Sequence, residues 1–491
     1  MPIVLALDQG TTGTTALAVD EDRQVEARHT VDTPLEHPRK GWAENDPEAI
    51  LDACEQALAG VVDEIDTDEV EAMGITNQRE TTLAWDADSG DALAPAVSWQ
   101  CRRTEPLCRE LEDRPAAVAR IRERTGLVVD PYFSATKMRW LLDNEARVEA
   151  ALAEDRLRFG TVDAFVLDHL TGHHLTDPSN ASRTMLYNLH EGTWDPELAE
   201  LLDLPLEPLP AIRPSSGGFG DVHPDTRLGE ALPELQGVPV AGVAGDQHAS
   251  LFGHGCFTPG ESKGTLGTGA FFLVNTGGEV LIPEGGVVAT VAWDLGDGPV
   301  YALEGSAFAC GSALEWASEA GWLRDPTSLD EQAGSVDDAD GATFVPAFYG
   351  LGAPFWDADA QAGLMGLSTS TTRDHIARAV AEGLTAQNAL LLDALAEAGQ
   401  PIDVVRLDGG VSRADVLCQL LADATDQRVL RTEEGDLTAL GAAGLAGLAE
   451  GVWTRKDLRE DATETFTPRE EAAFVDRYKA AARGIADVEL T

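Results

Sequence analysis

The chain has 491 residues, of which 43% are apolar, and its 85 acidic and 35 basic residues give a formal net charge of −50. This length exceeds what one hydrophobic core supports, so we expect two domains. The charge disfavours nucleic-acid binding, and no apolar run is long enough to span a bilayer. The N-terminus enters an apolar segment without a basic region, which predicts no secretion signal and a cytoplasmic protein.

The acidity has two interpretations, a surface adapted to high salt or a surface that binds cationic partners. The acids are spread through apparent helices, and lysine is nearly absent, occurring only at positions 40, 137, 263, 456 and 479. Self-repulsion of this size opposes compaction unless salt screens it, and at molar salt the Debye length is about 3 Å. These features favour the high-salt interpretation. The 6 cysteines have no ligand-like spacing and predict reduced thiols.

The first 19 residues predict a β-hairpin whose tip is rich in glycine and threonine. Two apolar segments, 3–7 and 15–19, flank the sequence DQGTTGT at 8–14. Backbone amides and hydroxyls in such a turn can cradle phosphates, and Asp8 can hold a magnesium ion through water. A plain turn, whose Asp and Thr satisfy local backbone groups, explains the pattern equally well. The turn is not a Walker loop, since no Gly-Lys-Ser/Thr follows at the required spacing.

Polar and aromatic residues follow the next predicted elements, a helix over 46–65 and a strand over 72–76. Arg79 and Glu80 stand side by side after that strand, where they can clamp a polyhydroxyl ligand or form a surface ion pair. Trp99 and Tyr132 can wall a small pocket or belong to the core.

A central stretch from Gly242 to Leu273 combines a carboxylate with a second glycine/threonine run. Asp246 is predicted to lie in a small-residue turn after a strand over 238–243. The run GTLGTG at 264–269 then leads into an apolar segment, as the first hairpin does. The stretch therefore predicts a hinge that carries a catalytic base and a phosphate loop.

The second half is predicted to repeat the plan of the first. Glycines between the strand at 404–407 and the helix at 413–425 can bring backbone amides onto a nucleotide, although a tight turn needs no ligand. Ser412 is the expected N-cap of that helix. The other predicted elements are strands at 287–293 and 300–303, a helix that follows Gly305 and runs through Gly311 to Trp316, a tight loop at 350–354, a helix over 374–398, a small-residue helix over 440–447 and an acidic helix after 467.

Collinear motifs from residue 5 to about 450 resemble the FGGY carbohydrate kinases, and most closely the glycerol kinase branch of that family. They include LALDQGTTGTTA (5–16), GITNQRETT (74–82), WQCRRT (99–104), TGLVVDPYFSATK (125–137), AGDQHASLFG (244–253), GTLGTGAF (264–271) and LDGG (407–410). The resemblance implies an α/β fold with two ribonuclease H-like domains of the actin/Hsp70/sugar-kinase superfamily and a cleft between them. We expect these domains at 1–248 and 249–491.

The resemblance also implies ATP-dependent phosphorylation of glycerol to sn-glycerol 3-phosphate, with ATP and Mg²⁺ as cofactors. Asp246 matches the family's general base, and Asp8 and Asp246 match its magnesium positions. The positions that match glycerol contacts are Arg79, Glu80, Trp99, Tyr132, Asp246, Gln247 and Phe271. The positions that match the nucleotide site are Thr11, Thr12, Gly13, Gly267, Thr268, Gly311, Glu315, Gly410, Val411 and Asp415.

Some positions depart from the family pattern. Thr15 stands where an arginine is often found, and Glu315 and Asp415 stand where bacterial relatives often have Gln and Asn. For Asp415 the alternative to a nucleotide contact is a role as a helix cap. The alternative functions are a kinase for another small polyol or ketose, such as dihydroxyacetone, and a non-catalytic, actin-like nucleotide-binding module. We further expect a homo-oligomer, either dimer or tetramer.

Overall fold

The computed structural model describes residues 1–284, 286–307, 309–348, 350–351, 355, 357, 360–399, 401–432, 435–459, 463–469 and 472–486. The predicted tight loop at 350–354 lies partly outside these residues. None of the helices in the described ranges is both long and apolar enough to cross a membrane.

The first half of the chain is built on a sheet with a hairpin at its centre. The strands of the first half are β1 Ile3–Gln9, β2 Gly13–Val19, β3 Val25–Asp32, β4 Leu35–Glu36, β5 Glu44–Asn45, β6 Val70–Asn77, β7 Thr82–Asp86, β8 Ala96–Val97, β9 Leu157–Thr161, β10 Leu175–Thr176, β11 Tyr187–Asn188, β12 Thr193–Trp194, β13 Ala211–Ile212 and β14 Val240–Gly245. The main sheet has the order β14-β6-β1-β2-β3, in which β1 pairs antiparallel with β2 and parallel with β6.

The helices of this half are α1 Pro47–Val62, α2 Glu105–Glu112, α3 Pro115–Thr125, α4 Ser134–Asn144, α5 Ala146–Ala153, α6 Val162–Thr171, α7 Pro178–Ala181, α8 Pro196–Leu201, α9 Arg227–Ala231 and α10 Asp246–Gly253. Helix α1 begins as predicted, because the Asp46 side chain accepts a hydrogen bond from the Glu48 amide and Pro47 occupies the first turn. Its buried face, which includes Ile50, Leu51 and Leu58, packs in the same core as β1 and β6.

The second half repeats this plan around the hairpin of β15 and β16. Its strands are β15 Glu261–Leu266, β16 Ala270–Gly277, β17 Val288–Asp294, β18 Pro299–Ala307, β19 Thr343–Val345, β20 Gly363–Met365, β21 Val404–Asp408, β22 Arg428–Arg431 and β23 Glu464–Phe466. The sheet order is β17-β18-β16-β15-β21-β22-β23, and β15 pairs antiparallel with β16 and parallel with β21. The predicted repeat and the two-domain α/β fold are therefore confirmed.

The helices of the second half are α11 Gly311–Glu319, α12 Leu329–Ala333, α13 Arg373–Ala398, α14 Asp415–Thr425, α15 Leu437–Ala449 and α16 Phe474–Ala486. The small-residue helix α15 packs against α10 and against β6 and β14 of the first sheet. Its glycines permit backbone contact, since a Cβ on Gly441 would lie 1.9 Å from the Ala249 carbonyl oxygen of α10. Helix α15 of the second half thus packs on α10, whose first residue is Asp246.

Two predicted local structures are wrong. Asp246 does not lie in a turn, because Ala244 and Gly245 complete β14 and Asp246 is the first residue of α10. Helix α14 begins at Asp415 instead of Arg413, and Ser412 is not its cap. The amides of Asp415 and Val416 instead donate to the carboxylate of Asp330, at 3.1 and 2.8 Å, and this distant acid satisfies the helix start.

Candidate active site

Two glycine/threonine turns occupy equivalent places at the tips of the two central hairpins. The first contains Thr11 and Thr12 between β1 and β2, and it is closed by a 2.8 Å hydrogen bond from the Gly10 amide to the Gly13 carbonyl. The second contains Gly267 and Thr268 between β15 and β16, where the Gly267 amide donates to the Gly269 carbonyl at 2.9 Å. Both turns offer amides and hydroxyls of the kind that bind phosphate oxygens.

The start of α11 packs directly on the second turn. The Gly311 amide donates to the Gly267 carbonyl at 2.8 Å, and the Cys310 amide donates to the Thr268 carbonyl at 3.0 Å. A Cβ on Gly311 would lie 2.6 Å from the Gly267 oxygen and 3.2 Å from Val411, so only glycine fits. The structure therefore brings together four of the residues predicted for the nucleotide site, Gly267, Thr268, Gly311 and Val411.

Three other residues predicted for the nucleotide site, Gly410, Glu315 and Asp415, have open or exposed positions. Gly410 has open space around its Cβ position, and Glu315 is exposed on α11. Asp415 is exposed too, and its carboxylate pairs with Arg431 at 2.8 Å. The alternative role of Asp415 as a helix cap is excluded, since its carboxylate forms this ion pair and Asp330 accepts from the amides of the helix start.

Arg79 is buried and bridges several polar groups of the predicted polyol site. Its Nε lies 3.1 Å from Asp246 Oδ1, and its Nη2 donates to the Tyr132 hydroxyl at 3.3 Å. Its two terminal nitrogens also donate to separate oxygens of Glu304, at 2.5 and 3.2 Å. Since Arg79 is only 3% exposed, the alternative of a surface ion pair is excluded.

Glu80 is held in place by its backbone and by a second arginine. Its φ of 60° is unusual for a residue with a side chain. Its carboxylate accepts from Arg183 Nε at 2.5 Å, and its carbonyl accepts from Lys137 Nζ at 3.3 Å. Burial raises the pKa of Glu80, and the charges of Arg79 and Arg183 oppose that rise.

Aromatic rings border this polar cluster and connect it to the first turn. Trp99 and Tyr132 are half-buried, in an edge-to-face contact with ring centroids 5.8 Å apart. Trp99 Nε1 donates to Thr11 Oγ1 at 2.9 Å. Phe271 is half-buried on β16, beside the second turn. The two rings of the first half are thus partly exposed and do not belong only to the core.

Asp246 lies directly after the end of β14, in contact with Arg79. Its side chain is 33% exposed, and its Oδ1 accepts from the Gln247 amide at 2.6 Å. The Gln247 side chain accepts from Lys263 Nζ at 2.5 Å, and Lys263 also donates to Thr265 at 2.9 Å. Because lysine only donates, this contact fixes which end of the Gln247 amide is the oxygen. The side-chain nitrogen of Gln247, Nε2, then faces Asp246 Oδ2 at 3.4 Å.

Asp8 is half-buried at the end of β1, in a group of like charges. Burial raises its pKa to about 7, and the negative charges of Asp246 and Asp436 add to the shift. A divalent cation would relieve this repulsion. The described residues form no group of three or more His, Cys, Asp or Glu side chains that could hold a metal. Mg²⁺ binds one or two carboxylates and otherwise keeps water and phosphate oxygens, so the interacting carboxylates of Asp8 and Asp246 are compatible with it.

The prediction from sequence missed Arg183, Glu304 and Lys263, which are all buried. Two of them lie in unusual positions, since Glu304 interrupts the apolar strand YALEG and Lys263 precedes the second turn in a chain with few lysines. Burial opposes ionisation of Glu304, but the charges of Arg183 and Arg79 outweigh burial and hold its pKa at about 2. A charged residue within an apolar strand is the signal that could have identified Glu304.

Comparisons with known proteins agree with the two-domain fold. The model of the N-terminal domain of the FGGY family of carbohydrate kinases matches residues 3–253, and the model of the C-terminal domain matches residues 263–450. A glycerol kinase of Halorhodospira halophila is 44% identical, with 92% of this chain and 89% of that protein covered. One from Desulfitobacterium hafniense is 40% identical over 97% of both chains.

A crystal structure of Plasmodium falciparum glycerol kinase with ADP superposes with a TM-score of 0.93 at 29% identity. The match covers 100% of this chain and 99% of the other. The fold, the two hairpin turns and the matches over both halves lead to one conclusion: the chain belongs to the FGGY family of carbohydrate kinases.

Proposed function

We propose that this protein transfers the γ-phosphoryl group of ATP to glycerol and produces sn-glycerol 3-phosphate. The observation that carries the proposal is the group formed by buried Arg79 and Glu80 with half-buried Tyr132, in which Arg79 contacts both Tyr132 and the partly exposed Asp246. A triol needs convergent donors and acceptors for its hydroxyls and an apolar wall for its carbons. The relatives named as glycerol kinases, and the ADP in one of their structures, support the same assignment.

In the mechanism we infer, the chain acts chiefly by positioning and by electrostatic stabilisation. Arg79, Glu80, Tyr132 and Gln247 hold two hydroxyls of glycerol, while Trp99 and Phe271 cover its carbons. Asp246 accepts the proton of the third hydroxyl as that oxygen attacks the γ-phosphorus in line with the leaving oxygen. The turns at Thr11–Gly13 and Gly267–Thr268 donate hydrogen bonds to the phosphates from opposite halves of the molecule.

The residues present fit ATP and Mg²⁺ as cofactors. Asp8 and Asp246 would hold the cation, whose charge would neutralise the phosphates during transfer. Gly311, Gly410 and Val411 would border the nucleotide, with Glu315 and Asp415 at its outer side. At Thr15, where an arginine is often found, the hydroxyl lies 3.0 Å from the hydroxyl of Thr30. Because a threonine side chain is uncharged, Thr15 supplies no cation to the phosphates.

A kinase for another polyol or ketose, such as dihydroxyacetone, is the second candidate. It would share the turns and Asp246, but a longer sugar would require a wider space between Trp99 and Phe271. The non-catalytic nucleotide-binding module is less consistent with the site, because a protein that only binds nucleotide does not need the buried cluster around Arg79.

The test is ATP-dependent ADP release at molar potassium chloride with glycerol, dihydroxyacetone, xylulose, gluconate or no acceptor. We expect turnover with glycerol to exceed that with each other acceptor by at least about tenfold, since a site that pairs with substrate hydroxyls rejects analogues that leave its polar groups unpaired. Faster turnover with a larger sugar than with glycerol would show that the sugar, and not glycerol, is the substrate. No turnover with any acceptor, in folded protein that binds ATP, would favour the binding module.

We also propose that the protein works in concentrated salt, inside the cell and as a homo-oligomer, with domains at 1–248 and 249–491. The support for the salt adaptation is the net charge of −50.

We expect activity to collapse when potassium chloride is withdrawn, because screening of the acidic surface is lost. Sucrose is the control, since it stabilises folded proteins without screening charge. Full activity in dilute buffer would contradict the salt adaptation.

A further inference from the structure

Five charged side chains form a continuous chain of contacts beneath the proposed glycerol site. In order of contact the members of this charge chain are Asp246, Arg79, Glu304, Arg183 and Glu80. The signs alternate, and the successive nitrogen–oxygen distances are 3.1, 2.5, 2.8 and 2.5 Å. Asp246, Arg79 and Glu80 belong to the proposed glycerol site, whereas the proposed mechanism assigns no role to Arg183 and Glu304.

The charge chain joins the two halves of the molecule. Glu304 lies on β18 of the second sheet, while the other members come from the first half. The interface around it is well formed, since the Ser182 hydroxyl is 2.8 Å from the Thr290 hydroxyl and the Ala289 amide donates to the Gly126 carbonyl at 3.1 Å. Glu304 is thus presented to Arg79 and Arg183 from a neighbouring sheet with fixed contacts.

A purely stabilising role does not explain this arrangement well. Arg79, Glu80, Arg183 and Glu304 are each at most 3% exposed. Removing charges from water is costly, and apolar residues of similar volume often replace a buried ion pair without loss of stability. In addition, Arg183 Nη1 is buried without a hydrogen-bond partner among the residues that the structure describes. Such a cost favours a function in the site above.

The contacts show what the two additional residues do. Glu304 binds both terminal nitrogens of Arg79 with separate oxygens, and this fork fixes the plane of the guanidinium group. Arg183 holds Glu80 Oε1 through Nε and Glu304 Oε1 through Nη2. The carboxylate of Glu80 is thereby oriented so that its other oxygen can accept a hydrogen bond from a substrate hydroxyl.

We propose that Glu304 and Arg183 are positioning residues for glycerol, and this inference rests on the proposed function. Neither residue needs to touch the substrate. Together they hold the donor of Arg79 and the acceptor of Glu80 in the geometry that a vicinal pair of hydroxyls requires. Their loss should therefore weaken the binding of glycerol much more than the binding of ATP, which contacts the hairpin turns.

The experiment compares Glu304→Gln with a matched control, Glu382→Gln. Glu382 lies on α13 and also bridges two arginines, Arg378 and Arg477, each at 2.9 Å. It is 6% exposed and lies in a different hydrophobic core from the glycerol site. Both variants place an amide N–H against an arginine, so both should lose stability in thermal unfolding.

We expect Glu304→Gln to raise the KM for glycerol by at least about tenfold and to leave the KM for ATP within about twofold of the wild type. Glu382→Gln should leave both constants within about twofold. A destabilised but otherwise intact site would lower kcat through a smaller active fraction without moving KM. An unchanged KM for glycerol in Glu304→Gln would therefore overturn the proposal.

Arg183→Lys provides a second test that keeps the buried charge balanced, which matters if Glu304→Gln does not fold. A lysine is a point charge and cannot hold Glu80 and Glu304 together in a fork. We expect at least about a threefold rise in the KM for glycerol, and a wild-type KM would contradict the proposal. The wild type is measured first, so that failure of glycerol turnover as such is recognised as failure of the proposed function.

Discussion

His248 illustrates how the charges of the site constrain a neighbouring residue. It lies on α10, fully buried, with Nε2 3.0 Å from the Thr290 hydroxyl. Burial lowers its pKa well below the usual value, and the positive charges of Arg79, Arg183 and Lys263 lower it further. A protonated His248 would add a further positive charge to this cluster, so the folded protein keeps the ring neutral.

The lowered pKa of His248 predicts a loss of stability in acid. Below about pH 6.5 the unfolded chain binds a proton at this histidine and the folded protein does not, so the free energy of unfolding falls as the pH falls. His248→Gln, which keeps a hydrogen-bonding group near Thr290, should remove up to about 1.4 kcal/mol per pH unit of this dependence. Denaturant unfolding at pH 7, 6 and 5 in molar potassium chloride measures the slope.

The control for this prediction is His223→Gln, because His223 is exposed. Its slope between pH 7 and pH 5 should stay close to that of the wild type. If His248→Gln and the wild type lose stability equally between pH 7 and pH 5, the neutral state of His248 does not contribute to the pH dependence of the free energy of unfolding.

At the level of individual residues, the sequence predicted those that motifs mark and missed those that only the fold brings together. Arg79 and Asp246 follow strands in recognisable segments, and the structure places them 3.1 Å apart. Glu304 stands out as a charged residue in an apolar strand, but its partner Arg79 could not be identified, because 225 positions separate the two and only the pairing of the two halves makes them neighbours. Long-range ion pairs leave little local pattern in a sequence.

Among the contacts between secondary-structure elements, the contact of α10 with α15 matters most for the proposed glycerol site. Asp246 is the first residue of α10, and the amides of that helix start favour a negative charge. On its other side α10 rests on α15, where Gly441 allows the two backbones to meet. The position of the proposed base therefore depends on a glycine of the other half.

Gly441→Ala should disturb this contact. The new Cβ would lie 1.9 Å from the Ala249 oxygen and 3.0 Å from the Gly253 nitrogen, both backbone atoms of α10. We expect a loss of about 1–3 kcal/mol in the free energy of unfolding, as for other overpacked sites. Turnover with glycerol should also fall, because α10 must move with Asp246. Denaturant unfolding and ADP release measure the two effects.

Gly484→Ala in α16 is the matched control, because no atom lies within 4 Å of its Cβ position. Alanine favours a helix over glycine by at most about 1 kcal/mol, so this variant should be neutral or slightly more stable. Equal behaviour of the two variants would show that the contact between α10 and α15 is not tight.

Helix boundaries were predictable where the signal is local. Helix α13 spans Arg373–Ala398, within one residue of the prediction, because Thr372 caps it and Gly399 ends it. Helix α14 was misplaced since its first amides are satisfied by Asp330, which lies 85 positions earlier. A cap supplied by a distant residue cannot be identified from the sequence around the helix.

For the whole molecule, the repeated hairpin plan determines where chemistry can occur. Each central hairpin presents its turn at the end of a sheet, and the contacts of α15 and Glu304 hold the two sheets against each other beside Asp246. The repeat was predictable, because glycine/threonine turns between apolar strands occur twice in the sequence. The arrangement of the two halves required the structure, since buried glycines and ion pairs create it.

The most direct test of this account compares the wild type with Asp246→Asn in ATP-dependent ADP release with glycerol at molar potassium chloride. Asparagine keeps the size of the side chain but cannot accept the proton of the attacking hydroxyl. We expect Asp246→Asn to keep its fold, by circular dichroism, and to turn over at least about 10²-fold more slowly. Turnover of the folded variant close to that of the wild type would contradict the role of Asp246 and with it the proposed mechanism.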